Sequence, residues 1–345
     1  MHKNTVPADV TDVVEPDFVV LGTVAVPGGA IADLAVSTDG ATLIATHYGD
    51  DSVSVFDADT MAAAAVGVRG GPLFVTATER RAYVTTSAQG QDVVAVIDTD
   101  TERVIAAYPV AGTATDVAIS PDGTRIFVGQ AEQDRVGLAV INTFGRINTI
   151  DLGDGMGRTV DALQASSNGR LVYVATSDAE SGKLLVVDVV EGRVIRDIPV
   201  ASPIRDIALS HDGALAYVAM FDTHWGGSID VIDTAINEIT AKVGIGGAPM
   251  QMAVSPDGAR VYIADYEHVA VLSTETTSIV DTLTVTAEPS CVAVSPDSRK
   301  LYIADHEGSV TVMSVGVDAA AHETELMTVN VTTVPELRGL QAAAV

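Results

Sequence analysis

Short apolar runs punctuated by small polar turns recur along most of the chain. The fullest copy is Ser255-Pro256-Asp257-Gly258-Ala259-Arg260-Val261-Tyr262-Ile263-Ala264-Asp265. Pro256 presets φ for a type I turn, and Gly258 takes its favoured fourth position. The residues that follow alternate and are rich in β-branched and aromatic types, which predicts a strand. Equivalent turns begin at Ser37, Thr76, Ser120, Ser166, Ser210, Ser255 and Ser295, at spacings of 39, 44, 46, 44, 45 and 40 residues. A second turn of Asp and Thr follows the third apolar run of most units, as in Asp57-Ala58-Asp59-Thr60 and Asp98-Thr99-Asp100-Thr101. Both side-chain types bond their own backbone two residues on and so fix a reversal. A fourth, outer run follows, for example Arg193-Val194-Ile195-Arg196-Asp197-Ile198-Pro199-Val200. Four strand segments at this period predict an all-β, seven-bladed β-propeller of four-stranded antiparallel blades.

These units resemble the YVTN-type β-propeller repeat family, within the surface-layer and lactonase-like propellers. The shared order is an apolar inner strand, Ser-Pro-Asp-Gly, a Tyr-Val-Ala/Thr strand, a Val-x-Val-Ile-Asp-Thr strand and an outer strand. The resemblance covers residues 18–316, with Thr78-Glu79-Arg80-Arg81 of the second unit as the main departure. It implies an exported or cell-surface binding protein without a catalytic motif. It also admits a metal-assisted hydrolase of the lactonase type.

Crowding at the axis calls for a small residue on each inner strand, met by Ala35, Ala118, Ala208, Ala253 and Ala293. One aromatic marks the second strand of six units: Tyr83, Phe127, Tyr173, Tyr217, Tyr262 and Tyr302. These rings are expected to wedge between sheets, with the tyrosine hydroxyls reaching a polar edge. An open edge invites aggregation, so the ring must close. Phe18–Val26 reads as a fourth strand with no blade before it and is expected to complete blade seven. Glu325–Val331 is the competing candidate. Residues 1–17 then form a polar lead-in and 317–345 an appendage or an extra outer strand.

Composition narrows the partners. The formal charge is −27, from 46 acidic and 19 basic residues, and no Lys/Arg run offsets it. Nucleic acid and anionic lipid need a concentrated cationic patch, so both are excluded as expected partners. Residues 1–16 lack the apolar core of a secretory signal, and no apolar run of about 18 residues predicts a membrane span. A monomer is expected. Cys291 is the only cysteine, so no disulfide within the chain forms.

Candidate chemistry gathers on one side. The Ser-Pro-Asp-Gly and Asp-Thr turns share one face, leaving the irregular loops, where function concentrates on a rigid scaffold, on the other. Four residues before each turn stand Asp33, Pro72, Asp116, Ala162, Asp206, Gln251 and Cys291. Carboxylates around a narrow opening repel unless a cation, water or Arg205 compensates. Asp33, Asp116 and Asp206 are therefore candidate oxygen ligands for Ca²⁺ or Mg²⁺. Backbone capping by each Asp is the alternative. The loops between second and third strands supply a ligand-binding face: His47, Asp50, Asp222, His224, Trp225, Tyr266, His268 and His306. His47 and His306 occupy one repeat position in units that meet on ring closure. With Asp305 and Glu307 they could hold Zn²⁺ or serve as acid and base. Solvated loop tips are the alternative, and Cys291 reads as a small apolar filler. A non-enzymatic scaffold holding a protein, peptide, glycan or cation is the first reading. The hydrolase is the second, and a redox protein lacks the histidines and arginines it would need at the channel.

Overall fold

The computed structural model describes residues 17–316 apart from 27, 286 and 287. Seven four-stranded antiparallel sheets account for it, six of them built from consecutive strands. Blade one spans 33–67, blade two 71–109, blade three 113–154 and blade four 159–200. Blade five spans 204–244, blade six 249–283 and blade seven 289–315. Each inner strand contacts the inner strand of the next blade, and that of blade seven contacts blade one, so the sheets close a ring.

Blade seven supplies only three strands of its own. Phe18–Ala25 adds the fourth, antiparallel to Ser309–Val315, with Phe18 opposite Val315 and Ala25 opposite Ser309. Closure by the N-terminal strand is thus realised. Glu325–Val331 lies outside the described residues.

Seven apolar clusters hold the ring, each shared by two adjacent blades. The second-strand aromatics are their wedges. Tyr83 packs into the blade two–three cluster, Phe127 into three–four, Tyr173 into four–five, Tyr217 into five–six, Tyr262 into six–seven and Tyr302 into seven–one. The second strands differ from the expected half-buried alternation. Leu171–Ser177, for example, is buried at six consecutive positions, because a neighbouring sheet covers each of its faces. The hydroxyls of Tyr262 and Tyr302 also depart from expectation: both are buried without a hydrogen-bond partner.

The repeated turn works as its chemistry dictates. Ser255 Oγ donates to Asp257 Oδ1 and accepts the Arg260 N–H, while Asp257 Oδ1 also accepts the Ala259 N–H. Gly258 closes the turn onto the Ser255 carbonyl at φ +75°, a conformation that an L side chain resists.

Candidate functional site

The axial channel is a cavity of about 860 Å³ lined by the inner strands. At its mouth, the expected ring of acids is tied to backbone. Asp33 accepts the Leu34 N–H on Oδ1 and the Val75 N–H of blade two on Oδ2, both at 2.8 Å. Asp116 bonds Val117 and, in blade four, Leu163, each at 2.7 Å. Asp206 bonds Ile207 at 2.7 Å and reaches Met252 of blade six at 2.5 Å. Each carboxylate therefore joins its own blade to the next.

Two glutamines extend the belt. Blade four carries Ala162 at this register, and Gln164 makes the joint instead by accepting the Leu209 N–H at 2.8 Å. Gln251 accepts the Val292 N–H of blade seven at 3.0 Å and donates to Asp33 of blade one at 2.5 Å. It thereby passes the short Cys291, which packs in the blade seven–one cluster. The oxygens a cation would need already accept N–H groups. Among the described residues, no group of three or more His, Cys, Asp or Glu is arranged to hold a metal.

Burial raises these carboxyls despite their amide donors, to about 6 for Asp33 and about 7 for Asp116. Asp206 is raised well above the ordinary range, chiefly by burial and further by the charges of Asp116 and Asp33. Among the described residues Arg205 makes no ion pair or hydrogen bond with these three acids, and its charge acts on the neighbouring Asp161. Its guanidinium carbon instead sits 5.8 Å from the Phe221 ring centroid. Burial pushes the Cys291 thiol well up, in keeping with a core filler and against a thiolate nucleophile.

The two histidines make different contacts. His47 is fully buried, with Nε2 on Ser54 Oγ at 2.8 Å and Nδ1 on the Gly29 carbonyl at 3.2 Å. Burial lowers its pKa, so the neutral ring is favoured. His306 is exposed and stacks on Tyr266, with centroids 6.0 Å apart and planes 25° apart. No hydrogen bond between these two imidazoles is found among the described residues. His268 pairs with Asp265 at 2.6 Å. Asp305 is buried and caps its loop through the Glu307 and Ser309 N–H groups; Glu307 and Asp50 are exposed. Asp222 caps likewise, accepting the N–H groups of His224 and Trp225 at 2.7 and 3.0 Å. Both of those side chains project outward, Trp225 with 90% of its surface exposed.

A feature the sequence pattern concealed is a run of bulges on the inner strands. Register shifts at Val160/Ala162, Ile204/Asp206, Pro249/Gln251 and Pro289/Cys291 set apart Asp161, Arg205, Met250 and Ser290. All four line the channel. A bulge re-aims one side chain relative to a regular strand. A single extra residue inverts the period-two phase, but in strands of six or seven residues too few positions remain to show it; the bulged residue precedes Ala162, Asp206, Gln251 and Cys291.

Two mycobacterial proteins are similar over most of their length. The seven-bladed beta-propeller protein Rv1057 of Mycobacterium tuberculosis is 32% identical, with 75% of each chain covered. A seven-bladed beta-propeller protein of Mycolicibacterium smegmatis is 38% identical, covering 75% of this chain and 71% of its own. The chain belongs to this seven-bladed β-propeller family. No family model matches the propeller. Among solved structures, Kuenenia stuttgartiensis hydrazine synthase superposes with a TM-score of 0.77 at 21% identity, over 86% of this chain and 98% of that chain. At that identity the likeness concerns the fold alone. No helix among the propeller's described residues is long and apolar enough to cross a membrane.

Proposed function

We propose that this propeller is a non-enzymatic binding scaffold whose irregular face engages a polypeptide carrying positive charge. The observation that carries the reading is the uneven distribution of exposed aromatics. Trp225 of blade five, Tyr266 of blade six and Tyr48 of blade one stand 90, 49 and 56% exposed, with His306 of blade seven stacked beside Tyr266. The corresponding loops of blades two, three and four carry no aromatic side chain. Aromatic anchors on loops fixed by capping cost little entropy to bury and dominate binding surfaces. Exposed Asp50, Asp51, Glu267 and Glu307 flank this arc and favour a cationic partner over an anionic one. Support against catalysis comes from the same loops, where Asp222, Asp265 and Asp305 are occupied as caps and His47 is buried.

Trp225 is the only tryptophan, so its emission reports this face directly. Titration with Lys-rich peptides is expected to shift that emission, with affinity falling as salt rises. Tyr266→Ala is expected to weaken binding by roughly tenfold, a typical effect for an interface aromatic. A response to neutral oligosaccharides and not to the peptides would replace the polypeptide by a glycan. Turnover of lactones would overturn the non-enzymatic reading.

A further inference from the structure

We propose that the channel mouth beneath the loop arc binds a small organic acid, with its carboxylate on Arg205 and its apolar body against neighbouring aromatic and methionine side chains. This site lies inside the ring and does not depend on what the loop arc binds.

Among the described residues, Arg205 is the only basic side chain lining the cavity. It occupies the bulged position of blade five's inner strand, between the paired residues Ile204 and Asp206. Stacking on Phe221 orients the guanidinium without consuming any of its N–H donors. No carboxylate lies within ion-pair distance and no hydrogen bond from it is found among the described residues, so its bidentate fork is free for a ligand.

The acids around it are differently placed. Asp33, Asp116 and Asp206 each hold amide N–H groups on both oxygens. Their charge is compensated where it sits, and their raised proton affinity lessens it further near neutrality. Asp161 of blade four feels the Arg205 charge but makes no ion pair with it, so among the described residues Arg205 is the basic group of the mouth left without a hydrogen-bonded partner. Phe74, Phe221, Met250, Met252 and Tyr266 line the same cavity. A mostly apolar pocket with few polar groups is the usual form of a small-molecule site, and about 860 Å³ is within the usual range. One guanidinium matches one carboxylate. A phosphate dianion would meet the nearby acids with twice the charge and is disfavoured.

The test uses the full chain and calorimetric titration with phenylacetate, indole-3-acetate and octanoate. Phenylacetamide, phenethylamine and phenyl phosphate serve as matched controls. The acids are expected to bind at least tenfold more tightly than phenylacetamide or the amine. Arg205→Gln is expected to erase that preference, and Arg205→Lys to keep part of it. Because Arg205 is exposed, neither variant should alter the melting temperature much. Trp225→Ala should leave acid binding intact, which separates this site from the loop arc. Tighter binding of phenethylamine than phenylacetate, or equal acid binding by parent and Arg205→Gln, would overturn the proposal. So would the absence of millimolar or tighter binding by all three acids. Preference for phenyl phosphate would reject the carboxylate assignment.

Discussion

Aspartate does three separate jobs here, and position along the repeat decides which. In the turns of the lower face it accepts local amides in the open. Asp122, held by Ser120 and Thr124, is lowered to about 2. In the loops above, Asp222 and Asp305 cap single reversals. On the inner strands Asp33, Asp116 and Asp206 join blade to blade. Glycine has one recurrent task, at the fourth turn position with φ between +65° and +76° in blades one and three to six. An added Cβ at Gly258 meets nothing within 4 Å, so only the backbone resists substitution. Gly258→Ala is expected to destabilise by about 1 kcal/mol, read from the denaturant midpoint at unchanged m-value. Blade seven shows that a side chain can occupy the slot: Ser298 stands there at φ +61°.

Among the elements, the second strands carry the most buried surface and the N-terminal strand carries closure. Phe18–Ala25 presents only a partly buried face, yet it covers an edge that would otherwise expose unpaired backbone along Ser309–Val315. Deleting residues 1–25 is expected to lower the melting temperature and to produce concentration-dependent association through that edge, followed by scanning calorimetry and size-exclusion chromatography. Recovery of a monomer with parental melting would contradict the closing role. Much of this scale was readable in the chain. The Ser-Pro-Asp-Gly spacing gave the blade count, and the orphan run at Phe18 gave the closing strand. The bulges at Asp161 and Arg205 were not readable, because the phase inversion from one inserted residue is spread over too few positions in strands of seven and six residues. Nor did sequence spacing tell that His47 lies buried against Ser54. Loop membership fixes a side of the disc, whereas the direction of a ring depends on packing from Gly28 and Gly29, in the segment that leads into blade one.

For the whole molecule, acids at the rim and at the axis pull stability in opposite directions with pH. The turn carboxylates, such as Asp57, Asp98 and Asp122, are lowered by their hydrogen bonds. Their contribution is present above an ordinary carboxyl pKa of about 4 and is lost as pH falls. Asp33 and Asp116 are raised to about 6 and about 7. The folded ring therefore binds more protons than the unfolded chain between about pH 4 and 7, and stability falls as pH rises through that window. The melting temperature is expected to peak on the acid side of neutrality. In Asp33→Asn/Asp116→Asn the absolute stability should drop while the decline from pH 5 to 8 becomes shallower. An unchanged slope in that variant would show that the axial carboxyls do not set it. Net charge of −27 made the mouth look like a cation trap, because composition counts acids without recording which amides they already hold.

The pairing of Phe18 with Val315, and of the Gly316 N–H with the Asp17 carbonyl at 3.0 Å, has a mechanical corollary. Both ends of the described chain leave the disc from one point, at the same end of two antiparallel strands. Tension applied between them would open that pair like a zipper, one rung at a time, instead of loading all the rungs together in shear. A propeller tethered at one end and pulled at the other would therefore yield first at its own seam.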